Sequence, residues 1–143
     1  GAYHFATWNM QDVVADATQE ANFFLSRVAE AVKVAGKPSL PLVLDTETNK
    51  ATLPITGQQL ETYMTTFLSI IDKAGFDTAI YMSPGFSWFL PKNHKLGNRK
   101  IWVADYTPPI NNINGWKKVW LHQYTDKGRI AGVSTWCDLN RFV

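Results

Sequence analysis

Two acidic residues, Asp45 and Glu47, directly follow a short apolar run and are separated by one threonine. In a β-strand, residues i and i+2 point to the same face, about 6.5 to 7 Å apart along the backbone. Two neighbouring carboxylates repel each other, so one of them tends to keep its proton near neutral pH. Such a pair supplies the acid and the base that cleavage of a glycosidic bond requires. Taken alone, the pattern is more typical of a solvated loop with two unrelated acids.

Other catalytic motifs are absent from the sequence, which has no G-x-S-x-G motif, no glycine-rich phosphate loop and no H-E-x-x-H motif. A magnesium or calcium site would need more clustered oxygen ligands than we can place. The three histidines lie far apart: His4 is expected to be a hydrogen-bonded core residue and His94 to be exposed, while His122 could face either side. The single cysteine, Cys137, is expected to be a small buried hydrophobic residue rather than a nucleophile.

Length and composition indicate one globular domain. The chain has 143 residues, of which 45% are apolar and 18% charged, enough to bury a core. No apolar run approaches the roughly 18 residues of a membrane span, and no signal peptide is visible. The net charge of +2 is small and the basic residues are scattered, which argues against nucleic-acid binding. A lone cysteine fits synthesis in a reducing cytoplasm and does not exclude later release.

The hydrophobic pattern alternates between short apolar runs and amphipathic segments. The amphipathic segments predict helices over 12–35, about 57–75 and 87–90. The apolar runs predict strands over 2–6, 42–45, 78–81, 100–106, 119–124 and 135–142, with a turn at 126–128. Alternation of strands and helices implies parallel pairing. The chemistry of such folds lies at the carboxyl ends of the strands, where Asp45, Tyr81 and Asp105 are placed.

The order of these segments resembles one protein family, the lysozyme-type muramidases of glycoside hydrolase family 25, which include phage endolysins and bacterial autolysins. The resemblance rests on GAYHF, LDTET, IYMSPGFSW, IWVADY, WLHQYT and GVSTWCDLNRF, and covers essentially the whole chain. It implies a single catalytic domain over residues 1–143. Its α/β fold would be an irregular TIM-like β/α barrel that ends in strands without helices.

The resemblance also implies an activity. Members of the family cleave the β-1,4 bond between N-acetylmuramic acid and N-acetylglucosamine in peptidoglycan, with no metal or organic cofactor. The expected partner is therefore the peptidoglycan glycan strand, rather than a nucleic acid or a membrane. The expected place of action is extracellular, or the cell wall after release.

Individual residues acquire roles through the same resemblance. The D-x-E motif falls on Asp45 and Glu47, so Glu47 would protonate the leaving oxygen. Asp45 would stabilise the developing charge, either directly or by orienting the acetamido group of the substrate. Asp138 matches the acidic residue of the family's final strand and completes the catalytic set. The positions that match groove-lining residues are Tyr3, Phe5, Tyr81, Trp102 and Gln123; for Tyr3, Tyr81 and Trp102, packing in the core is the alternative.

The start of the sequence departs from the family pattern. Family members normally begin with a strand of the type G-I-D-V-S, a helix and a second strand before the strand that residues 1–5 match. The barrel is therefore expected to be incomplete at the N-terminus, as a fragment, a partial domain or a degenerate form. Exposed strand edges favour a homo-oligomer or a further segment that completes the barrel. Two interpretations follow: an active hydrolase, or a non-catalytic cell-wall-binding or structural module.

Overall fold

The computed structural model describes residues 1–8, 11–48 and 55–143. In chain order, the elements of these ranges are β1 Ala2–Phe5, α1 Val13–Ala35, β2 Leu42–Asp45, α2 Gly57–Lys73, β3 Thr78–Met82, α3 Pro84–Ser87, β4 Lys100–Ala104, β5 Leu121–Gly128 and β6 Cys137–Phe142. None of the helices in this part of the chain is long and apolar enough to cross a membrane.

The six strands form one sheet in sequential order from β1 to β6. Strands β1 to β5 pair in parallel, and β6 pairs antiparallel with β5. The sheet curls into a half-barrel. The predicted α/β class, with β/α units first and strands without helices last, is confirmed.

The core lies between the convex face of the sheet and the helices α1 and α2. Alternate strand residues point into it, and they are almost fully buried: Leu42, Leu44, Ile80, Met82, Ile101 and Val103. Facing them are apolar side chains of the two helices, among them Ala21, Phe24, Tyr63, Phe67 and Ile71. Because successive strand residues point to opposite faces, the residues between the core positions face the concave side.

Local signals set the limits of the two long helices. The Asp12 side chain accepts a hydrogen bond from the backbone of Ala15 and caps the start of α1. Thr56 and Gln59 form the predicted capping box at the start of α2. Gly75, with a φ of 81°, follows α2 where the sequence predicted a stop.

The short helix α3 lies three residues earlier than predicted. It begins at Pro84 because Ser83 caps it, accepting a hydrogen bond from Phe86 N over 3.2 Å. Proline suits the first turn of a helix, where its missing N–H costs nothing. The residues that we expected to be helical, 87–90, form its end and the following turn.

The turn predicted at 126–128 is also wrong. Strand β5 continues to Gly128, which pairs with Cys137 of β6. A side chain at Gly128 would place its Cβ 2.3 Å from Leu139 Cγ, so this glycine allows close strand packing and does not make the turn. Strand β4 ends level with Gln123, so β5 extends five residues further. Cys137 is only partly buried, not buried as expected.

The histidines occupy structural positions. His4 is hydrogen-bonded as predicted, with Nε2 2.6 Å from Glu20 Oε2. The prediction that His94 is exposed is wrong: the ring is buried, Nδ1 accepts from Leu96 N over 3.1 Å, and Nε2 donates to Asn114 O over 2.7 Å. The ring also leaves no room at Gly115, where a Cβ would lie 2.3 Å from Nε2.

Candidate active site

A cleft of about 410 Å³ opens on the concave side of the sheet, at the carboxyl ends of the parallel strands. Its described lining consists of Tyr3, Phe5, Val43, Asp45, Glu47, Tyr81, Trp102, Gln123 and Asp138. The structure therefore brings together all eight residues that the sequence predicted for the site, with Val43 in addition. Their individual catalytic and binding roles stay predictions.

The register of the sheet explains why the floor of this cleft is built from distant parts of the chain. Phe5 pairs with Asp45, Asp45 with Tyr81, and Tyr81 with Trp102. Partners in parallel register point to the same face of a sheet. Four strands thus place one residue each in a single row across the concave face, and the acid lies between two aromatic rings.

Backbone bonds to both neighbouring strands hold the D-T-E segment in place. The carbonyl of Asp45 accepts from Ala6 N over 2.9 Å, and Thr46 N donates to Tyr81 O over 2.9 Å. The Thr46 hydroxyl donates to the same carbonyl over 3.0 Å, and Thr46 is fully buried. The alternation of the strand therefore continues past Asp45. For this reason Glu47 faces the cleft together with Asp45.

The two carboxyl groups form a coupled pair. Burial, the charge of Glu47 and a hydrogen bond between the two carboxyls raise the pKa of Asp45 to about 7. Asp45 is 9% exposed, whereas Glu47 is partly open to solvent. Below about pH 7, Asp45 consequently holds a proton in the free protein. One oxygen, Asp45 Oδ1, is buried and has no hydrogen-bond partner among the described residues.

Two tyrosine hydroxyls fix the amide of Gln123. The hydroxyl of Tyr81 donates to Gln123 Oε1 over 2.9 Å, and that of Tyr106 donates to the same oxygen over 2.7 Å. Burial, followed by the charges around it, raises the pKa of Tyr81 above its ordinary value, so its hydroxyl remains a donor. Tyr106 was missed as a positioning residue. Its place two residues after the end of β4 was the signal available in the sequence.

Aromatic rings surround the carboxyl pair. Trp102 packs edge to face against Tyr81, with ring centroids 4.9 Å apart, and its Nε1 donates to Asn140 Oδ1 over 2.8 Å. Tyr3 is 64% exposed and Phe5 37%, so neither is a core residue. Flat apolar rings with polar edges are suited to the faces of sugar rings.

The last predicted acid, Asp138, comes from the antiparallel strand β6. Because β6 runs against its neighbours, its beginning lies at the edge where the parallel strands end, and Asp138 is its second residue. Its side chain is exposed and lines the cleft. Its charge contributes to the raised pKa of Tyr81. Among the described residues, the cleft therefore has three carboxyl groups, one from β2, one from the segment directly after β2 and one from β6.

Asp105 lies at the expected edge of the sheet but does not line this cleft. Its carboxylate accepts hydrogen bonds from the backbones and side chains of Thr107 and Asn111. Burial opposes ionisation of Asp105, but these hydrogen bonds outweigh it and hold its pKa below the ordinary value. Asp105 is thus an ionised group that fixes the loop after β4.

The described residues do not suggest a metal centre. Over 1–8, 11–48 and 55–143, no group of three or more His, Cys, Asp or Glu side chains could hold a metal ion. The chemistry that this arrangement can perform is proton transfer and charge stabilisation by carboxyl groups within an aromatic cleft.

Comparison with known proteins identifies the family. Residues 1–133 match the sequence profile of glycosyl hydrolases family 25, and the chain belongs to this family. Among solved structures, the chain is similar to the CTP1L endolysin, with 29% identity and a TM-score of 0.74 over 99% of this chain and 45% of that one. It is also similar to the spore cortex lytic enzyme SleM of Clostridium perfringens, with 26% identity and a TM-score of 0.81. This similarity covers 98% of this chain and 48% of SleM.

A bacterial lysozyme from Streptomyces coelicolor shares the fold, at 24% identity and a TM-score of 0.77 over 98% of this chain and 65% of that one. The chain thus spans about half to two thirds of the length of these proteins. A search of curated protein sequences gave no significant match.

Proposed function

We propose that this chain carries the catalytic site of a peptidoglycan hydrolase, an N-acetylmuramidase that cleaves the β-1,4 bond between N-acetylmuramic acid and N-acetylglucosamine. The observation that carries the proposal is the Asp45–Glu47 pair on the floor of an aromatic cleft, where burial and the charge of Glu47 raise the pKa of Asp45. Family membership and similarity to an endolysin and a spore cortex lytic enzyme support it. Its substrate is then the glycan strand, and it acts at the cell wall.

The reaction needs a proton donor and a group that stabilises positive charge on the sugar ring. Glu47 is the more exposed carboxyl of the pair and faces the cleft, which suits it to protonate the oxygen of the leaving sugar. The bond between that oxygen and the anomeric carbon then breaks, and the proton stays with the leaving group. A water molecule forms the new bond to the anomeric carbon, and its proton returns to Glu47. Asp45 and Asp138 supply negative charge next to the ring that becomes positive.

The proton that Asp45 holds in the free protein has to reach Glu47 before that step. Asp45 Oδ1, which has no hydrogen-bond partner among the described residues, is the acceptor that we assign to the acetamido N–H of the substrate. Such a hydrogen bond stabilises the ionised form of Asp45 and lowers its pKa. The shared proton then moves across the hydrogen bond between the carboxyls. Substrate binding therefore transfers the proton to the residue that donates it.

The test is hydrolysis of purified cell walls by the intact chain, followed as loss of turbidity and release of reducing sugars. Glu47→Gln removes the acid with almost no change in volume. Glu30→Gln, at an exposed position of α1 where Glu30 pairs with Arg27, is the matched control. We expect at least a ~100-fold loss for Glu47→Gln and none for the control. Lysis by Glu47→Gln at the unmodified rate, or no lysis by the unmodified chain, would refute the proposal.

A further inference from the structure

A second groove, of about 630 Å³, lies beside the catalytic cleft. The start of α3, the end of β4 and the loop that follows β4 form its walls. Two large aromatic side chains line it, and both are exposed: Trp88 to 57% and Tyr106 to 46%. Asn111 and Asn112 contribute amide groups on the opposite side. Nothing in the proposed reaction uses Trp88 or the two asparagines.

The groove and the cleft are neighbours, and hydrogen bonds join residues of their linings. Tyr106 lines the groove, and its hydroxyl donates to Gln123, which lines the cleft. Tyr81, also of the cleft, donates to the same Gln123 oxygen. A polymer bound over the carboxyl pair would therefore find the groove directly next to it, on the same carboxyl edge of the sheet.

The chemistry of the groove favours an uncharged polar ligand with apolar faces. The described lining has one charged residue, Asp105, whose carboxylate accepts four hydrogen bonds from Thr107 and Asn111. These bonds also hold Asn111 in a fixed position. The described lining contains no Lys or Arg that could pair with the carboxylates of a peptide stem. Exposed rings beside the fixed Asn111 amide suit the uncharged N-acetylglucosamine units of the strand, which combine apolar ring faces with hydroxyl and amide groups.

We propose that this groove is a sugar-binding subsite that holds the glycan strand beyond the bond being cleaved, with Trp88 as its stacking platform. The inference rests on the proposed hydrolase function and deepens it. A strand long enough to reach Trp88 gains contacts that a short oligosaccharide cannot make. The groove thus makes the domain selective for polymer over small fragments.

The experiment compares Trp88→Ala with Phe89→Ala on peptide-free glycan strands and on a short oligosaccharide of the same repeat. Phe89 is the matched control because it is equally exposed, at 57%, but packs against Phe86 outside the groove lining. We expect Trp88→Ala to lower kcat/KM about three- to tenfold on long strands and to leave the short substrate unaffected. Trp88→Tyr, which keeps a ring, should restore most of the loss, and Phe89→Ala should change neither substrate.

Failure of this inference is distinguishable from failure of the proposed function. If the unmodified chain cuts both substrates and Trp88→Ala lowers neither or both equally, the subsite is refuted while the hydrolase stands. A loss confined to strands that still carry peptides would assign the groove to the peptide and overturn the sugar proposal. If the unmodified chain cuts nothing, co-sedimentation with insoluble glycan strands tests the subsite by binding. Weaker binding by Trp88→Ala alone supports the subsite. Equal binding by Trp88→Ala and Phe89→Ala overturns it.

Discussion

Asp45 lies directly beside Tyr81 in the parallel register of β2 and β3, and both side chains point to the concave face of the half-barrel. Phe5 occupies the corresponding place on the other side of Asp45. Burial of the Asp45 carboxyl is the first reason for its raised pKa. A slip of one residue in either pairing would turn Asp45 into the apolar core. The acidity of the site is therefore a property of strand pairing.

The first prediction concerns the pH dependence of hydrolysis. Cleavage requires one proton on the Asp45–Glu47 pair, and the pKa of Asp45 is about 7. We expect kcat/KM to fall with increasing pH above about 7, approaching a tenfold loss per pH unit. Initial rates on glycan strands between about pH 5 and about pH 9 test this. A rate that stays constant from about pH 6 to about pH 9 would contradict the shared proton.

The second prediction concerns stability. The folded pKa of Asp45, about 7, lies above its ordinary value of 3.8, so between these pH values the folded state binds a proton that the unfolded state lacks. The resulting stabilisation is complete below the unfolded pKa and is lost as the pH rises through the folded pKa. Asp45→Asn stays neutral. The wild type should therefore lose about 2 to 3 kcal/mol relative to this variant between about pH 5 and about pH 8.

Urea unfolding of both proteins at the two pH values measures this difference. Asp138→Asn is the control, because Asp138 is exposed on the same cleft and its replacement should shift stability equally at both pH values. A pH-independent difference between the wild type and Asp45→Asn would show that the carboxyl is not perturbed.

The third prediction concerns the stereochemistry of the product. Inverting glycosidases need roughly 6.5 to 9.5 Å between their carboxyl groups to hold a water molecule. The charge of Glu47 contributes to the raised pKa of Asp45, so the two carboxyl groups lie close together, as retaining enzymes require. We expect retention, observed by NMR as early release of the β-anomer. Early appearance of the α-anomer would instead assign the second catalytic role to Asp138, across the cleft.

The fourth prediction concerns a glycine on the side of the fold away from the cleft. Gly115 has a φ of 79°, and a Cβ there would also collide with the buried ring of His94. Gly132 has a φ of 86° with no atom within 4 Å of the Cβ position. Both Gly→Ala changes incur the backbone cost of about 1 kcal/mol or more. Gly115→Ala should lower the free energy of unfolding by about 1 to 3 kcal/mol more than Gly132→Ala does. Urea unfolding of both variants measures this difference, and equal losses of stability would disprove the collision.

Much of the fold could be predicted from the sequence because its signals are local. The apolar run that ends at Asp45 defines β2, and the capping box at Thr56 defines the start of α2. The pairing of Asp45 with Glu47 follows from strand alternation alone. Placing Tyr3 and Asp138 in the same cleft came from the resemblance to a family, because they stand 135 positions apart in the sequence.

The predictions that failed depend on partners far along the chain. His94 lies in a polar segment, which predicts exposure. The ring is instead buried, and it donates a hydrogen bond to the carbonyl of Asn114, twenty residues later in the chain. The sequence around Gly128 predicts a turn. In the structure, the glycine is needed because a Cβ at this position would collide with the side chain of Leu139 on the opposing strand. Tyr106 acquires its role only through Gln123. The local hydrophobic pattern of the sequence does not show the role of a side chain when tertiary contacts determine that role.

The hairpin of β5 and β6 continues past the end of β4 by five residues of β5, which corresponds to roughly 15 Å of strand. It forms a wall along one side of the cleft, with Asp138 near its outer end. Its connecting loop, residues 129–136, lies outside the parallel pairings. Insertions or deletions in this loop would lengthen or shorten the hairpin wall without moving the D-T-E segment. The depth of the cleft can thus diverge between homologues while the acid pair keeps its geometry.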